Sequence, residues 1–306
     1  MKLNGPLTSL IISALVWGTS FPIVELNLKI LGLNFYVLFI FRFLVAIISF
    51  SVIILIYKKV HNFLLLIRDY RIALLGLLNF ITIGVAYFAQ GLTVSGKAAL
   101  LVNLNMIYVA ILAVFFFKER LDKFKISGII LGTIGAYFLT IGFNFEQLFS
   151  GSIVGDILML VSGVAWAFYV ILMKKIYNTE ENSKIFTPLL LSHGTVFYSF
   201  LFGLISFIFY IPFAPDLVFV PDSIYSWVSI LYLGLVCTTV CYLLYTKGLQ
   251  KKSAVLAAII LLIEVLTANL LAIIFLPNQA YFTLDFLFGA IFIIAAILIS
   301  SFKSNT

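Results

Sequence analysis

Long uninterrupted stretches of apolar residues, separated by short polar segments, make up nearly the whole chain. A helix needs about 20 residues to cross the hydrocarbon core of a bilayer, and many of these stretches are that long. Inside lipid every backbone N–H and C=O must be paired, which leaves helices or closed barrels. Barrel strands would be about 10 residues long with polar positions alternating inward. These runs are longer and evenly apolar, so they read as helices. The pattern places spans near 7–28, 34–57, 72–93, 97–117, 125–143, 153–175, 187–210, 225–246, 253–275 and 283–302. The first run begins near Leu7 without a strong basic segment or a small-residue cleavage site, so it reads as a span and not as a removed signal. The expected fold is an all-α integral membrane protein of ten transmembrane helices, with lipid bilayer as its surroundings.

Composition agrees: 63% of the 306 residues are hydrophobic and 10% are charged, against about 25% charged in a soluble domain. The net charge of +7 does not indicate a nucleic-acid partner, because the basic residues sit in short loops between spans. With the N-terminus inside, sixteen Lys and Arg fall in inside loops or ends, from Lys2 to Lys303, two (Lys29 and Lys97) fall outside, and Arg42 lies within a span. Basic loops face the cytoplasm, so both termini are expected there. Short loops and the lack of a targeting segment suggest a prokaryotic plasma membrane.

The two halves can be laid on each other. SALVWGTSF at 13–21 matches SGVAWAFYV at 162–170, which puts Ser13 and Trp17 on Ser162 and Trp166. LLGLL at 74–78 matches YLGLV at 232–236. Span four matches span nine so that Ala98, Ala99 and Ala113 fall on Ala257, Ala258 and Ala272; Gly128 falls on Gly289. The units are expected at 1–144 and 145–306. Each has five spans, an odd number, so the second enters the membrane from the opposite side. Inverted repeats of this kind are common in secondary transporters, with the substrate site near the midplane between them.

At these residues the sequence resembles the drug/metabolite transporter superfamily in its EamA-type ten-helix form. The likeness is carried by WGTSF at 17–21, FRFLVA at 41–46, AALLVNLNMIYVAILAVFFFKERL at 98–121 and GDILMLVSGVAWAFYVILMKK at 155–175. The chain departs from the family where members often have proline, at Met106 and Val265. It also has Pro277, Asn278 and Gln279 in place of a Gly-Glu-Arg-like turn. The resemblance implies export of metabolites, amino acids or toxic amphipathic compounds, usually without ATP, from a cavity faced by spans four and nine.

An ionisable group inside the membrane is costly and marks function by default. Two lie deep in spans, Arg42 and Glu264. Glu264 falls opposite Asn105 in the repeat register, which suits a central site with one polar residue from each half. It reads as a ligand for solute or proton, or as a hydrogen-bonded glutamate holding helices together. Arg42 keeps its charge and reads as an anion contact or, by preference because span two is peripheral in the resembled fold, as a structural anchor paired with a carboxylate or with carbonyls. Trp17, Asn79, Tyr87, Asn103, Trp166, Tyr242 and Asn269 complete the candidate substrate site, as aromatic walls with a few polar groups suit an amphipathic or zwitterionic ligand. Each of these also has a packing reading. His193 suits one interhelical hydrogen bond or a proton relay. Gly18 and Pro22 could mark a kink. Gly128 and Gly132 suit close packing with span ten or with a second protomer of a homo-oligomer.

Cys237 and Cys241 read as packing residues, with no further metal ligands near them in sequence and no cofactor expected. The chain shows no P-loop, no His-Glu-x-x-His and no Gly-x-Ser-x-Gly, so neither an ATP-driven pump nor an enzyme is expected. The rivals are a sugar-phosphate or nucleotide-sugar carrier, which needs several cations near the cavity and finds here only Arg42 and Lys97, and a non-transporting scaffold or receptor.

Overall fold

The computed structural model describes residues 5–93, 95–119, 121–143, 152–180, 183–215, 218–275 and 284–301. Lys2, Arg120, Pro277, Asn278, Gln279 and Lys303 lie outside these. Helices run at α1 Gly5–Glu25, α2 Phe35–Ile56, α3 Val60–Leu66, α4 Tyr70–Leu92, α5 Ser95–Asn103, α6 Asn105–Phe117, α7 Lys123–Thr140, α8 Ile153–Thr179, α9 Pro188–Tyr210, α10 Ile224–Tyr232, α11 Cys241–Lys251, α12 Ala254–Ile260, α13 Ile263–Phe275 and α14 Leu284–Ser301. Wide π-type turns at Leu26–Ile30 and Leu233–Val240 extend α1 and join α10 to α11. No strand occurs among the described residues. Nine stretches of them are long and apolar enough to cross a membrane. The remaining expected span is the 18-residue α7, which opens with Lys123 and Lys125.

The helix starts are written in the loops. Asn34, Asp69, Asp122, Ser152, Thr187, Ser223 and Ser253 each accept a backbone N–H from the first turn that follows. Such caps satisfy donors that the helix itself leaves open. Gly18 and Pro22, which could mark a kink, both lie inside α1. Proline leaves only one helical bond unmade, and neighbouring packing tolerates this in membrane helices.

Two expected spans are broken in mid-course, each by one tightened turn, with Leu104 and Leu261 at right-handed helical angles. The fourth divides at Leu104, between α5 and α6; the ninth divides at Leu261–Leu262, between α12 and α13. Both breaks arise without proline, since Met106 and Val265 stand at the positions where the resembled family often has it.

The bundle is held by close approaches at glycine. The Gly18 backbone lies so near α13 that a Cβ there would meet Thr267 Cβ at 2.5 Å and the Glu264 carbonyl at 2.7 Å. Gly76 abuts Tyr198 and Ser199 of α9, while Gly234 abuts Arg42 and Val45 of α2. Helices α7 and α14 cross where Gly135 and Gly289 face each other's backbone, and Gly128 takes Ser300 against it. Gly128 of the small-residue pair thus packs on span ten, while Gly132 is covered by Leu262. Outward-facing Ile56, Phe115, Phe209 and Ile291 remain exposed, as a lipid-facing surface requires.

Candidate functional site

The two broken helices meet at one cavity of about 80 Å³. Asn105 opens α6 and Glu264 stands in the first turn of α13, so each is a polar residue at the N-terminal end of a half-helix. Both line the cavity, at 3% and 8% exposure. Asn105 donates its Nδ2 to the Val102 carbonyl at 2.8 Å, and its buried Oδ1 has no partner. Glu264 is addressed by the Asn103 side chain, whose Nδ2 also donates to the Ala99 carbonyl.

One wall is aromatic. Trp17 stands edge-on to Trp166, with ring centroids 5.6 Å apart, and to Tyr242 at 5.3 Å. Tyr245 and Tyr169 continue the cluster behind them. The wide turn at Leu233–Val240 explains how Trp17 is fixed. There the Cys241 N–H bonds to the Thr238 and Val236 carbonyls and skips Cys237. The freed Cys237 carbonyl accepts the Trp17 indole N–H at 2.6 Å. π-type insertions frequently sit at functional sites for this reason: they release backbone groups.

Arg42 departs from its expected place. It is 2% exposed but lines the cavity, so it is not peripheral. Its Nε donates to Thr238 Oγ1 at 2.8 Å and its Nη1 to the Tyr87 hydroxyl. It forms no ion pair with Glu264; the ion pairs among the described residues are Lys29–Glu25, Arg71 with Asp69 and Glu180, Lys97–Asp156 and Lys125–Glu119. Lys97, expected as a second cation at the rim, has its ammonium 2.6 Å from Asp156.

Other candidates divide clearly. Trp17, Tyr87, Asn105, Trp166, Tyr242 and Glu264 come together around the cavity. Asn79 sits one step behind it, accepting from the Tyr242 hydroxyl at 2.5 Å and donating to Ser199 Oγ at 2.8 Å. Asn269 bonds to the Val265 carbonyl within its own helix and is not part of the lining. His193 is stacked between Phe50 and Phe63, with Nε2 3.5 Å from Ser51 Oγ and no partner on Nδ1. The two cysteines are buried and free, and no cluster of metal-ligand residues occurs among the described residues. Gln90 lines the cavity with an unpartnered buried Oε1 and was missed in the sequence. Its position on the face of α4 that carries Thr82, Ala86 and Tyr87, at helical spacing, is the signal that could have found it.

The EamA-like transporter family model matches residues 6–141 and 153–302. An uncharacterized transporter of Clostridium kluyveri is 27% identical over 245 residues, 76% of this chain and 72% of that protein. An uncharacterized transporter of Archaeoglobus fulgidus is 30% identical over 228 residues, covering 74% of each chain. A solved crystal structure shares the fold, with a TM-score of 0.71 at 14% identity over 96% of this chain and 99% of the other. With multiple membrane-crossing helices and a family match over both halves, the chain belongs to the EamA-like transporter family of multi-pass membrane proteins.

Proposed function

We propose that the protein is a secondary transporter that exports small metabolites, such as amino acids or amphipathic compounds, by alternating access at the central cavity. In this reading ten spans form two inverted five-helix repeats, 1–144 and 145–306, in the plasma membrane with both termini cytoplasmic. One observation carries it: two helices broken at matched positions present Asn105 and Glu264 to the same cavity. Broken helices at a repeat interface are where transporters bind substrate and coupling ions.

Further contacts support the repeat. Trp17 and Trp166, matched in sequence, touch each other, as residues beside a two-fold axis must. Gly76 of the third span packs on the seventh, and its match Gly234, in the eighth, packs on the second. Glu264 serves as the ligand for solute or proton, with Asn103 beside it. Trp17, Trp166, Tyr87 and Tyr242 form the walls, Asn79 orients Tyr242, and Asn269 contributes through packing. The sugar-phosphate alternative loses ground, because Lys97 is engaged by Asp156 and Arg42 is the cation left at the cavity.

The test is solute flux in liposomes, screening amino acids and amphipathic cations with and without a proton gradient, for wild type and Glu264→Gln. Gradient-dependent flux that the variant loses supports the reading. Equal flux in both makes Glu264 structural, and no flux across a broad screen favours a scaffold. A C-terminal reporter found outside the cell contradicts the topology.

A further inference from the structure

The cavity is lined by a cation that forms no ion pair with the described protein. A charge held away from water normally pairs with another charge or coordinates a ligand. Arg42 belongs to none of the ion pairs among the described residues. Its neighbours are neutral: Thr238, Tyr87, and the rings of Phe43 and Tyr87, 5.9 and 5.7 Å from its Cζ. A guanidinium has five N–H donors in a rigid fork. Two anchoring bonds, from Nε and Nη1, fix the plane and leave Nη2 without a hydrogen bond to the described protein. A fork held in one orientation and facing a cavity fits the two oxygens of an oxoanion.

The opposite side has the converse chemistry. The Glu264 carboxyl and the unpartnered Asn105 Oδ1 are acceptors, so that side takes N–H donors.

We propose that Arg42 is the receptor for an oxoanion group of the transported solute, a carboxylate or a phosphate, and that Glu264 with Asn105 receives a donor-bearing group at the other end. The cavity thereby orients a bipolar ligand between α2 and α13. Thr238 and Tyr87 act as positioning residues for Arg42. The assignment rests on the transport reading only for the word solute; binding is measured independently of flux.

Trp17 and Trp166 border the cavity, so their fluorescence reports occupancy. Purified protein is titrated with alanine, propionate, alaninamide and inorganic phosphate. The wild type is expected to respond saturably to alanine, and to propionate or phosphate according to which oxoanion Arg42 takes. Arg42→Gln weakens every responding oxoanion probe by about 30-fold or more, the loss usual when one partner of a buried charged pair is removed. Alaninamide, which carries no oxoanion, loses no affinity by this exchange, and a thermal melt in detergent like that of the wild type certifies that the variant is folded. Should Arg42→Gln fail to fold, Thr238→Val keeps the charge, frees the fork and still weakens the oxoanion probes selectively. Oxoanion binding indifferent to either substitution, or a wild type that responds to alaninamide alone, overturns the assignment. Flux of the same probes separates the two readings. Wild-type flux of alanine with unaltered Arg42→Gln binding overturns Arg42 alone, whereas oxoanion binding without flux of any probe counts against transport and not against Arg42.

Discussion

The two broken helices have the same architecture and different chemistry. In α5–α6 the break is closed locally: the Asn105 amide donates back to Val102, and Asn103 to Ala99. In α12–α13 the break is closed by backbone alone, with Glu264 N–H to the Leu261 carbonyl at 2.8 Å and Leu262 N–H to the Ile259 carbonyl at 3.2 Å. The Glu264 side chain takes no part in the turn, so its carboxyl faces the cavity while half of the Asn105 amide is held by its own helix. Each break is also braced by the opposite half. Helix α1 approaches α13 at Gly18, and α8 approaches α5 at Gly163, where a Cβ would lie 2.9 Å from the Val102 carbonyl. One fold thus presents a neutral group and an ionisable one to the same cavity.

Adding bulk at the braces should have the largest effect. Gly18→Leu forces a side chain into the Glu264 backbone and the Thr267 Cβ and is expected to cost about 3 kcal/mol or to prevent folding. Gly163→Leu should do the same against Val102. Thermal melting of both in detergent checks this, and a Gly18→Leu protein that melts like wild type would disprove the close approach.

Exchanging the two chemistries comes next. Glu264→Asn should abolish the proton-gradient response of flux in liposomes, and Asn105→Asp added to it should fail to restore that response. The reason is that Asn103 addresses the carboxyl at 264, while the 105 side chain is tied to its own turn. Full restoration would show that the two breaks are functionally interchangeable.

Smaller still is Trp17→Phe. It leaves the Cys237 carbonyl unpartnered in the wide turn, and an unsatisfied buried acceptor costs about 1–3 kcal/mol. A melting midpoint equal to wild type would argue that the indole bond is dispensable.

The smallest effect lies away from both breaks, at the start of α4. There Asp69 caps the helix and takes a 2.6 Å bond from Arg71 Nη2. The bonds from Arg71 hold the Asp69 carboxyl below its ordinary value. A lowered carboxylate pKa stabilises the fold above the unfolded value, near 4, and the gain is lost as pH falls through the folded value. Asp69→Asn should therefore cost at most about 1 kcal/mol near neutrality, since Asn also caps, and the two melting curves should converge in acid. A gap that widens as pH falls would invert the sign.

Much of this was legible from the residues alone. Apolar runs bounded by Asn34, Asp69, Asp122, Ser152, Thr187, Ser223 and Ser253 determine where helices cross and begin, because lipid permits few alternatives and caps act locally. Glu264 and Asn105 stood out as polar residues at one depth, and Trp17 and Trp166 as a matched pair. What tertiary structure decided was long-range. Arg42 reads as peripheral until a wide turn 196 residues away brings Thr238 to its Nε. Lys97 reads as available until Asp156 meets it. Asn79 reads as a site residue until Ser199 and Tyr242 claim it. The breaks at Leu104 and Leu261–Leu262 carry no proline or glycine to announce them. Local pattern records the cost of burying a residue in lipid; which partner offsets that cost depends on helices distant in sequence, and only packing brings them together.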